Sequence, residues 1–214
     1  MTGLTFIQGD VFHVDLPRHH FTLVYADPPY ANCRFKYARR VKSRQWGINT
    51  RHEFLRELIA RMEELRAPDG VAALSMATPE LRLLHLFPTD ARVLACVKHR
   101  APFRPGVWPT FAWEPVVLWG TRPSWREHAI QESGRPGGVP FDWIQLSPNP
   151  KGTRRHETQK PPGFGEWIMN VTMGTRTGPV CELFAGTCPV AIAAMARGCE
   201  ATAVDLEDYG TTSA

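Results

Sequence analysis

The feature that most constrains this chain is a segment near its end, "VCELFAGTCPVAIAAMARGCEATAVDLED", residues 180–208. It reads as an apolar strand, a glycine turn, a helix opened by Pro189 and closed by Gly198, and a second strand ending in acid. A strand–helix–strand unit of this length lays its two strands parallel, because the helix must cross over one face of the sheet. Strands covered on both faces read as continuous apolar runs instead of alternating ones.

The same grammar recurs along the chain. "LTFI" (4–7), "FTLVYA" (21–26), "GVAALSM" (70–76), "RVLACVKH" (92–99) and "EPVVLWG" (114–120) read as strands. Between them, residues 53–66 carry apolar groups at 54, 55, 58, 59, 62 and 65, a helical stripe. Thr50 and Glu53 have capping-box spacing at its start, and Asp69-Gly70 ends it. Thr78-Pro79-Glu80 reads as an N-cap opening a second helix, and "GEWIMNVTM" (165–173) as a third. Residues 121–152, rich in Pro, Gly and Arg, show no period and are too few for a core of their own, so they read as a long loop or small insertion. At 214 residues and 43% hydrophobic, the chain fits a single α/β domain, 1–214, around a mostly parallel sheet.

Composition excludes several classes. The net charge of +4 is mild and does not by itself mark a nucleic-acid binder. Five cysteines, an odd number with no C-x-x-C pair, argue against a disulfide scaffold and a zinc ribbon, and no metal is expected. The start "MTGLTFIQGD" lacks the basic and apolar regions of a signal peptide, and no run is long enough to cross a bilayer; a cytoplasmic protein, monomer or homodimer, is expected.

In parallel sheets, ligands bind at the carboxyl ends of the strands. One such end carries Asp27-Pro28-Pro29-Tyr30. Two prolines fix two φ angles and remove two N–H donors, and the residue before each is pushed to extended backbone. Carbonyl oxygens are therefore held there as fixed acceptors, with the Asp27 carboxylate and the flat face of Tyr30 beside them. Such a set suits a planar ring bearing an exocyclic NH2 group. That amine is a poor nucleophile, because its lone pair is delocalised into the ring. Hydrogen bonds from its protons to Asp27 and the Pro28 carbonyl would draw it toward tetrahedral geometry and free the lone pair.

The other end is the glycine turn. Asp205 follows Gly186 by 19 residues, the spacing at which a second strand's acid meets ribose hydroxyls. The full G-x-G-x-x-G fingerprint is absent, and no basic residue stands ready to read phosphate. An adenosyl ligand without phosphates fits better; a buried βαβ unit with no ligand is the plain alternative.

With these motifs in place, the chain resembles the S-adenosylmethionine-dependent DNA amino-methyltransferases of the circularly permuted (beta) group, N6-adenine type, whose "DPPY" forms the amine site. "HETQKPPGFGEWIM" (156–169) resembles the family's H-P-T-Q-K-P segment, "ELFAGTCP" its D-x-F-x-G-x-G cofactor loop, "AVDLEDY" its ribose-binding strand end, and "FIQGD" (6–10) its opening strand. The likeness covers nearly the whole chain except 121–152, with the catalytic half first and the cofactor half last. It implies a Rossmann-like seven-stranded sheet with the opening strand beside the last. It implies catalysis by Asp27, Pro28, Pro29 and Tyr30, and a cofactor site drawn from Asp10, Asp27, Lys160, Glu182, Phe184, Gly186, Thr187 and Asp205. Asp instead of Ser at position 27 favours adenine N6 over cytosine N4 by analogy. The chain departs from the family at two positions: Glu182 stands for its Asp, and Cys188 for its second glycine. A side chain at 188 either crowds the backbone approach or demands an altered turn.

Residues 31–52 add a basic stretch without a single acid: Arg34, Lys36, Arg39, Arg40, Lys42, Arg44 and Arg51, interleaved with Phe35, Tyr37 and Trp46. Cations neutralise phosphates and aromatics stack on bases, so this loop is expected to contact nucleic acid. A base stacked in a duplex cannot reach Asp27, so the substrate is either a flipped base or a single strand. The segment 121–152 is the expected target-recognition element. The alternatives are methylation of cytosine N4 or of RNA adenine, and a non-enzymatic nucleic-acid-binding protein with a decayed cofactor loop.

Overall fold

The computed structural model describes residues 3–30, 50–98, 110–121, 140–147, 159–161 and 163–208. Their strands are β1 (Leu4–Gln8), β2 (Phe21–Ala26), β3 (Arg66–Ser75), β4 (Arg92–Lys98), β5 (Trp113–Gly120), β6 (Trp143–Leu146), β7 (Val180–Leu183) and β8 (Ala201–Asp205). They form one eight-stranded sheet in the order β1-β8-β7-β2-β3-β5-β4-β6. Pairing is parallel from β1 through β3, and β5 runs antiparallel between β3 and β4. The expected neighbour of the opening strand is found, since β1 pairs with β8 from Leu4↔Ala201 to Gln8↔Asp205.

The eighth strand is β6, inside the segment expected to be a loop or insertion. It lies at the sheet edge and pairs parallel with β4, Ala95↔Trp143 to Lys98↔Leu146. Four residues, "WIQL", with alternating intermediate and exposed positions, carry too little pattern to announce a strand. Residues 122–139 and 148–152 of that segment lie outside the described residues.

Period-2 alternation on the central strands sorts the core onto two faces. Leu23 and Tyr25 of β2 point to one face, where α2 (Phe164–Met173) and α3 (Pro189–Ala196) cover them. Val24 and Ala26 point to the other, under α1 (Thr50–Leu65). The stripe read from the sequence is the buried one: Phe54, Leu55, Leu58, Ile59, Met62 and Leu65 are all in the core. The second helix, Thr78–Leu86, forms as a 3-10 helix and not as an α-helix. Its N-cap is Ala77, not Thr78; Thr78 Oγ1 donates instead to the Trp113 carbonyl at 3.0 Å, and Glu80 Oε2 receives the Ala77 N–H at 3.0 Å.

The pair α2/α3 packs close because residue 165 has no side chain. A Cβ on Gly165 would lie 1.9 Å from the Pro189 carbonyl oxygen. Among the described residues no helix is long and apolar enough to cross a membrane, no group of His, Cys, Asp and Glu could hold a metal ion, and Cys96, Cys181, Cys188 and Cys199 are free thiols, all buried.

Candidate active site

Parallel order places the carboxyl ends of β1, β8, β7 and β2 side by side along one edge of the sheet. Those ends carry Asp10, Asp205, the Phe184–Cys188 turn and Asp27, so the two expected halves of the site meet. The Asp27 N–H donates to the Leu183 carbonyl at 3.3 Å, which seats the "DPPY" turn directly beside the glycine turn. The antiparallel β5 brings its first residues to the same edge, and with them Glu114.

Around Asp27 the structure builds a charged network. Lys160 Nζ lies 3.0 Å from Asp27 Oδ1 and also bonds Glu114 Oε1. Tyr30 Oη donates to Glu114 Oε1 at 2.5 Å and lies 3.2 Å from Asp27 Oδ1. Lys98 Nζ holds the other Glu114 oxygen at 2.9 Å. The Lys160 ammonium also sits over the rings of Phe164, at 5.2 Å, and Tyr30, at 5.8 Å. Burial works against the charge on Lys160, yet Asp27 and Glu114 outweigh it and push the ammonium well above its ordinary pKa. Burial likewise opposes ionisation of Glu114, but Lys160 and Lys98 hold that carboxyl down at about 2. Asp27 goes the other way: burial raises it above the usual aspartate range, Lys160 pulls it back, and Glu114 adds to the rise.

The backbone of the "DPPY" turn is fixed from α1. Arg51 Nη1 donates to the Pro29 carbonyl at 3.1 Å, while its Nε and Nη2 hold Glu80 at 2.7 and 2.8 Å. The guanidinium lies 5.1 Å above the Phe54 ring. Arg51, grouped by sequence with the basic loop, is thus engaged inside the protein. The remaining basic residues expected to meet nucleic acid, Arg34, Lys36, Arg39, Arg40, Lys42 and Arg44, lie outside the described residues.

The glycine turn is held open by carboxyl groups. Phe184, Gly186 and Cys188 all take left-handed backbone, with φ of 55, 53 and 55°. Cys188 therefore adopts the conformation a glycine would favour, at a cost of about 1–2 kcal/mol. A Cβ on Gly186 would meet nothing within 4 Å, so the turn faces open space. Its N–H donates to Asp205 Oδ2 at 2.8 Å, and Glu207 N–H donates to Asp205 Oδ1 at 3.1 Å. Asp205 also ties in β1, because its carbonyl accepts the Gly9 N–H at 2.8 Å. Asp10 accepts the Phe12 N–H at 3.1 Å and pairs with His13 at 3.3 Å. Phe184 stacks edge-on with Phe12 and Phe54, giving the turn an aromatic wall.

Glu182 is placed differently from a surface ligand. It is 1% exposed, and its oxygens accept the N–H groups of Ala191, at 2.7 Å, and Val190, at 3.3 Å. It caps α3 from the neighbouring strand, where the N-cap Cys188 makes no side-chain cap bond. Burial lifts its carboxyl to about 8, against the pull of those two amides. Lys160, expected beside the cofactor loop, bonds Asp27, Tyr30 and Glu114 at the amine side. Thr187 lies half-buried within the turn.

Glu114, Lys98, Arg51 and Glu80 were not singled out from the sequence as parts of this site. Glu114 had one available signal, a carboxylate at the head of an otherwise apolar strand, which is an expensive place for an unpaired charge.

No protein-family model matches the chain, and no curated protein does. Solved structures do. M1.HpyAVI, determined in complex with SAM, superposes with a TM-score of 0.63 over 98% of both chains at 14% identity. The cytosine-N4-specific PvuII DNA methyltransferase superposes at 0.72 over 95% of this chain and 82% of its own, also at 14% identity. A Thermus thermophilus protein named as a putative DNA modification methylase, complexed with S-adenosyl-L-methionine, superposes at 0.63 over 96% and 88%, with 17% identity. Likeness at these identities establishes the fold: a Rossmann-like methyltransferase sheet.

Proposed function

We propose that this chain transfers a methyl group from S-adenosylmethionine to the exocyclic amine of a DNA base, adenine N6 in the first instance. One observation carries the reading. The amine-binding turn and the open glycine turn are hydrogen-bonded neighbours on one sheet edge, through the Asp27 N–H and the Leu183 carbonyl. The fold is shared with a structure named as a cytosine-N4-specific DNA methyltransferase and with one named as a putative DNA modification methylase, and the latter and M1.HpyAVI are complexes with this cofactor.

The residues present fit the cofactor. Gly186 leaves room in front of the turn, Phe184 supplies an apolar wall, and Asp10 and Asp205 supply acceptors for hydroxyl and amino groups. When bound, S-adenosylmethionine supplies an electrophilic methyl group on a sulfonium. The chain supplies the rest. The Asp27 carboxylate and the Pro28 carbonyl accept hydrogen bonds from the two amine hydrogens, the one proton shed by the methylated nitrogen passing to solvent, while Tyr30 offers its ring to the base and Arg51 fixes the adjoining Pro29 carbonyl. Such acceptors, set before the reaction, act most strongly as positive charge develops on the amine nitrogen. A duplex base must leave its stack to reach them, and the basic stretch 31–52 is suited to gripping the backbone meanwhile.

Cytosine N4 is the second reading, favoured by the superposition on the cytosine-N4-specific enzyme. It presents the same amine chemistry. Incubation of DNA with methyl-labelled S-adenosylmethionine, digestion to nucleosides and mass identification decides between them: N6-methyladenine is expected, and N4-methylcytosine shifts the assignment to the second reading. Absence of both, with calorimetry showing no cofactor binding, defeats the proposal and leaves a nucleic-acid-binding protein with a decayed cofactor loop.

A further inference from the structure

The amine site contains more charge than amine binding calls for. Two carboxylates, Asp27 and Glu114, and two ammonium groups, Lys160 and Lys98, are linked end to end. Lys160 is the central link: its side chain is 9% exposed and it touches both carboxylates and Tyr30. Glu114 is 8% exposed by side chain and is held by Lys98 from behind, so it serves as a fixed anchor.

This arrangement meets a specific need of Asp27. The proposed chemistry requires an acceptor-only carboxylate; a protonated one carries a donor hydrogen and pulls more weakly on the amine. Its surroundings oppose that state. Burial favours the neutral acid, and the Glu114 carboxylate on β5 repels a second charge. Burial holds Glu182 on β7 and the Tyr25 hydroxyl toward their neutral forms, and the Tyr30 hydroxyl, also kept protonated, lies 3.2 Å from Asp27 Oδ1 and favours the carboxylate. Among the described residues, Lys160 is the cation in direct contact with it.

We propose that Lys160, seated on Glu114, is a positioning residue that keeps Asp27 ionised and aimed for the incoming amine. The inference rests on the methyl-transfer reading above. It moves Lys160 from cofactor binding to control of the amine acceptor, and it gives Glu114 and Lys98 a part in the same task. Glu114 serves two opposed ends: its charge disfavours ionisation of Asp27, while it shares with Asp27 the seating of Lys160, which Asp27 itself holds at 3.0 Å.

The test uses the full chain with carbon-13-labelled aspartate carboxyls, the Asp27 signal being identified by its loss in Asp27→Asn. In Lys160→Met the Asp27 titration midpoint should rise by about one pH unit or more, a tenfold change in proton affinity. The acid limb of the methyl-transfer pH profile should move with it, while S-adenosylmethionine affinity stays within about twofold. Lys160→Arg, which keeps the charge, should restore the midpoint to within about half a unit. Glu114→Gln should move it down, because it removes a repelling charge. An Asp27 midpoint unmoved in Lys160→Met overturns the proposal, and a tenfold loss of cofactor affinity beside it returns Lys160 to the cofactor site. Should Lys160→Met not fold, Lys160→Gln, which keeps a polar side chain between the two carboxylates and removes the charge, carries the same test, and an unmoved midpoint there overturns the proposal equally. A wild type that transfers no methyl group defeats the parent reading instead, and the titration still decides whether Lys160 governs Asp27.

Discussion

Asp27 has to stay charged in surroundings that discourage charge. It resides at the end of a buried strand, where burial raises its carboxyl, and the Lys160 ammonium and the Tyr30 hydroxyl beside it pull it back. Truncation to Asp27→Ala removes the acceptor but leaves the Lys160–Glu114 pair and the glycine turn standing. Turnover is expected to fall by about a hundredfold or more, with S-adenosylmethionine affinity nearly unchanged. A transfer assay and a calorimetric titration of the same variant check this, and a variant that fails to fold would show Asp27 to be a structural cap. At this scale the sequence was informative where chemistry and position coincide. Asp27, Tyr30, Gly186 and Asp205 could be picked out because each stands at or just past the end of an apolar run. Lys160 was singled out without its partner Glu114, which was not. Their pairing depends on β5 running antiparallel, which puts its first residues at the edge where parallel strands place their last. Nothing local in "WEPVVLWG" states that direction.

Elements carry their own consequences. The α2/α3 contact is set by the absence of a side chain at 165, so Gly165→Ala must push the helices apart. A loss of roughly 2–3 kcal/mol is expected, read as a lower denaturant midpoint at unchanged slope. The α3 cap is a buried carboxyl whose folded pKa of about 8 stands above its ordinary 4.5. A raised value means that the fold favours the protonated group. That stabilisation is whole below about pH 4.5 and is lost as pH climbs toward 8. Wild-type stability should therefore decline over that window by up to about 1 kcal/mol per pH unit relative to Glu182→Gln, as thermal melts at pH 5, 6.5 and 8 can measure. Strands and helices were legible from apolar runs and the 3.6 stripe; β6 was not, because four half-exposed residues at a sheet edge obey no strong pattern. The helix after Thr78 was legible as a helix but not as a 3-10 one, since its cap comes from Glu80 and Ala77 rather than from the threonine.

On the scale of the molecule, the net charge of +4 understates what one segment carries, since residues 31–52 hold seven basic side chains and no acid. One of these, Arg51, is engaged with Pro29 and Glu80, which leaves the earlier six as the group expected to meet phosphates. Replacing Arg39, Arg40 and Lys42 together by Gln should weaken binding to DNA of any sequence. It should also lower the log–log slope of affinity against salt by up to about three, while cofactor titration is unaffected. Fluorescence anisotropy across a salt series measures that slope. The Rossmann-like sheet itself was legible because continuous apolar strands and intervening helices admit few other topologies.

The carboxyl groups around the glycine turn have a consequence for which adenosine compounds can enter. In nucleotide-binding folds, the amides of such a turn and of the helix behind it are left pointing at phosphate. Here the Gly186 amide already belongs to Asp205, and those of Val190 and Ala191 belong to Glu182. A triphosphate tail would find its berth taken by acids of the protein itself. ATP, for all its abundance in cells, should compete only feebly with S-adenosylmethionine in a calorimetric titration.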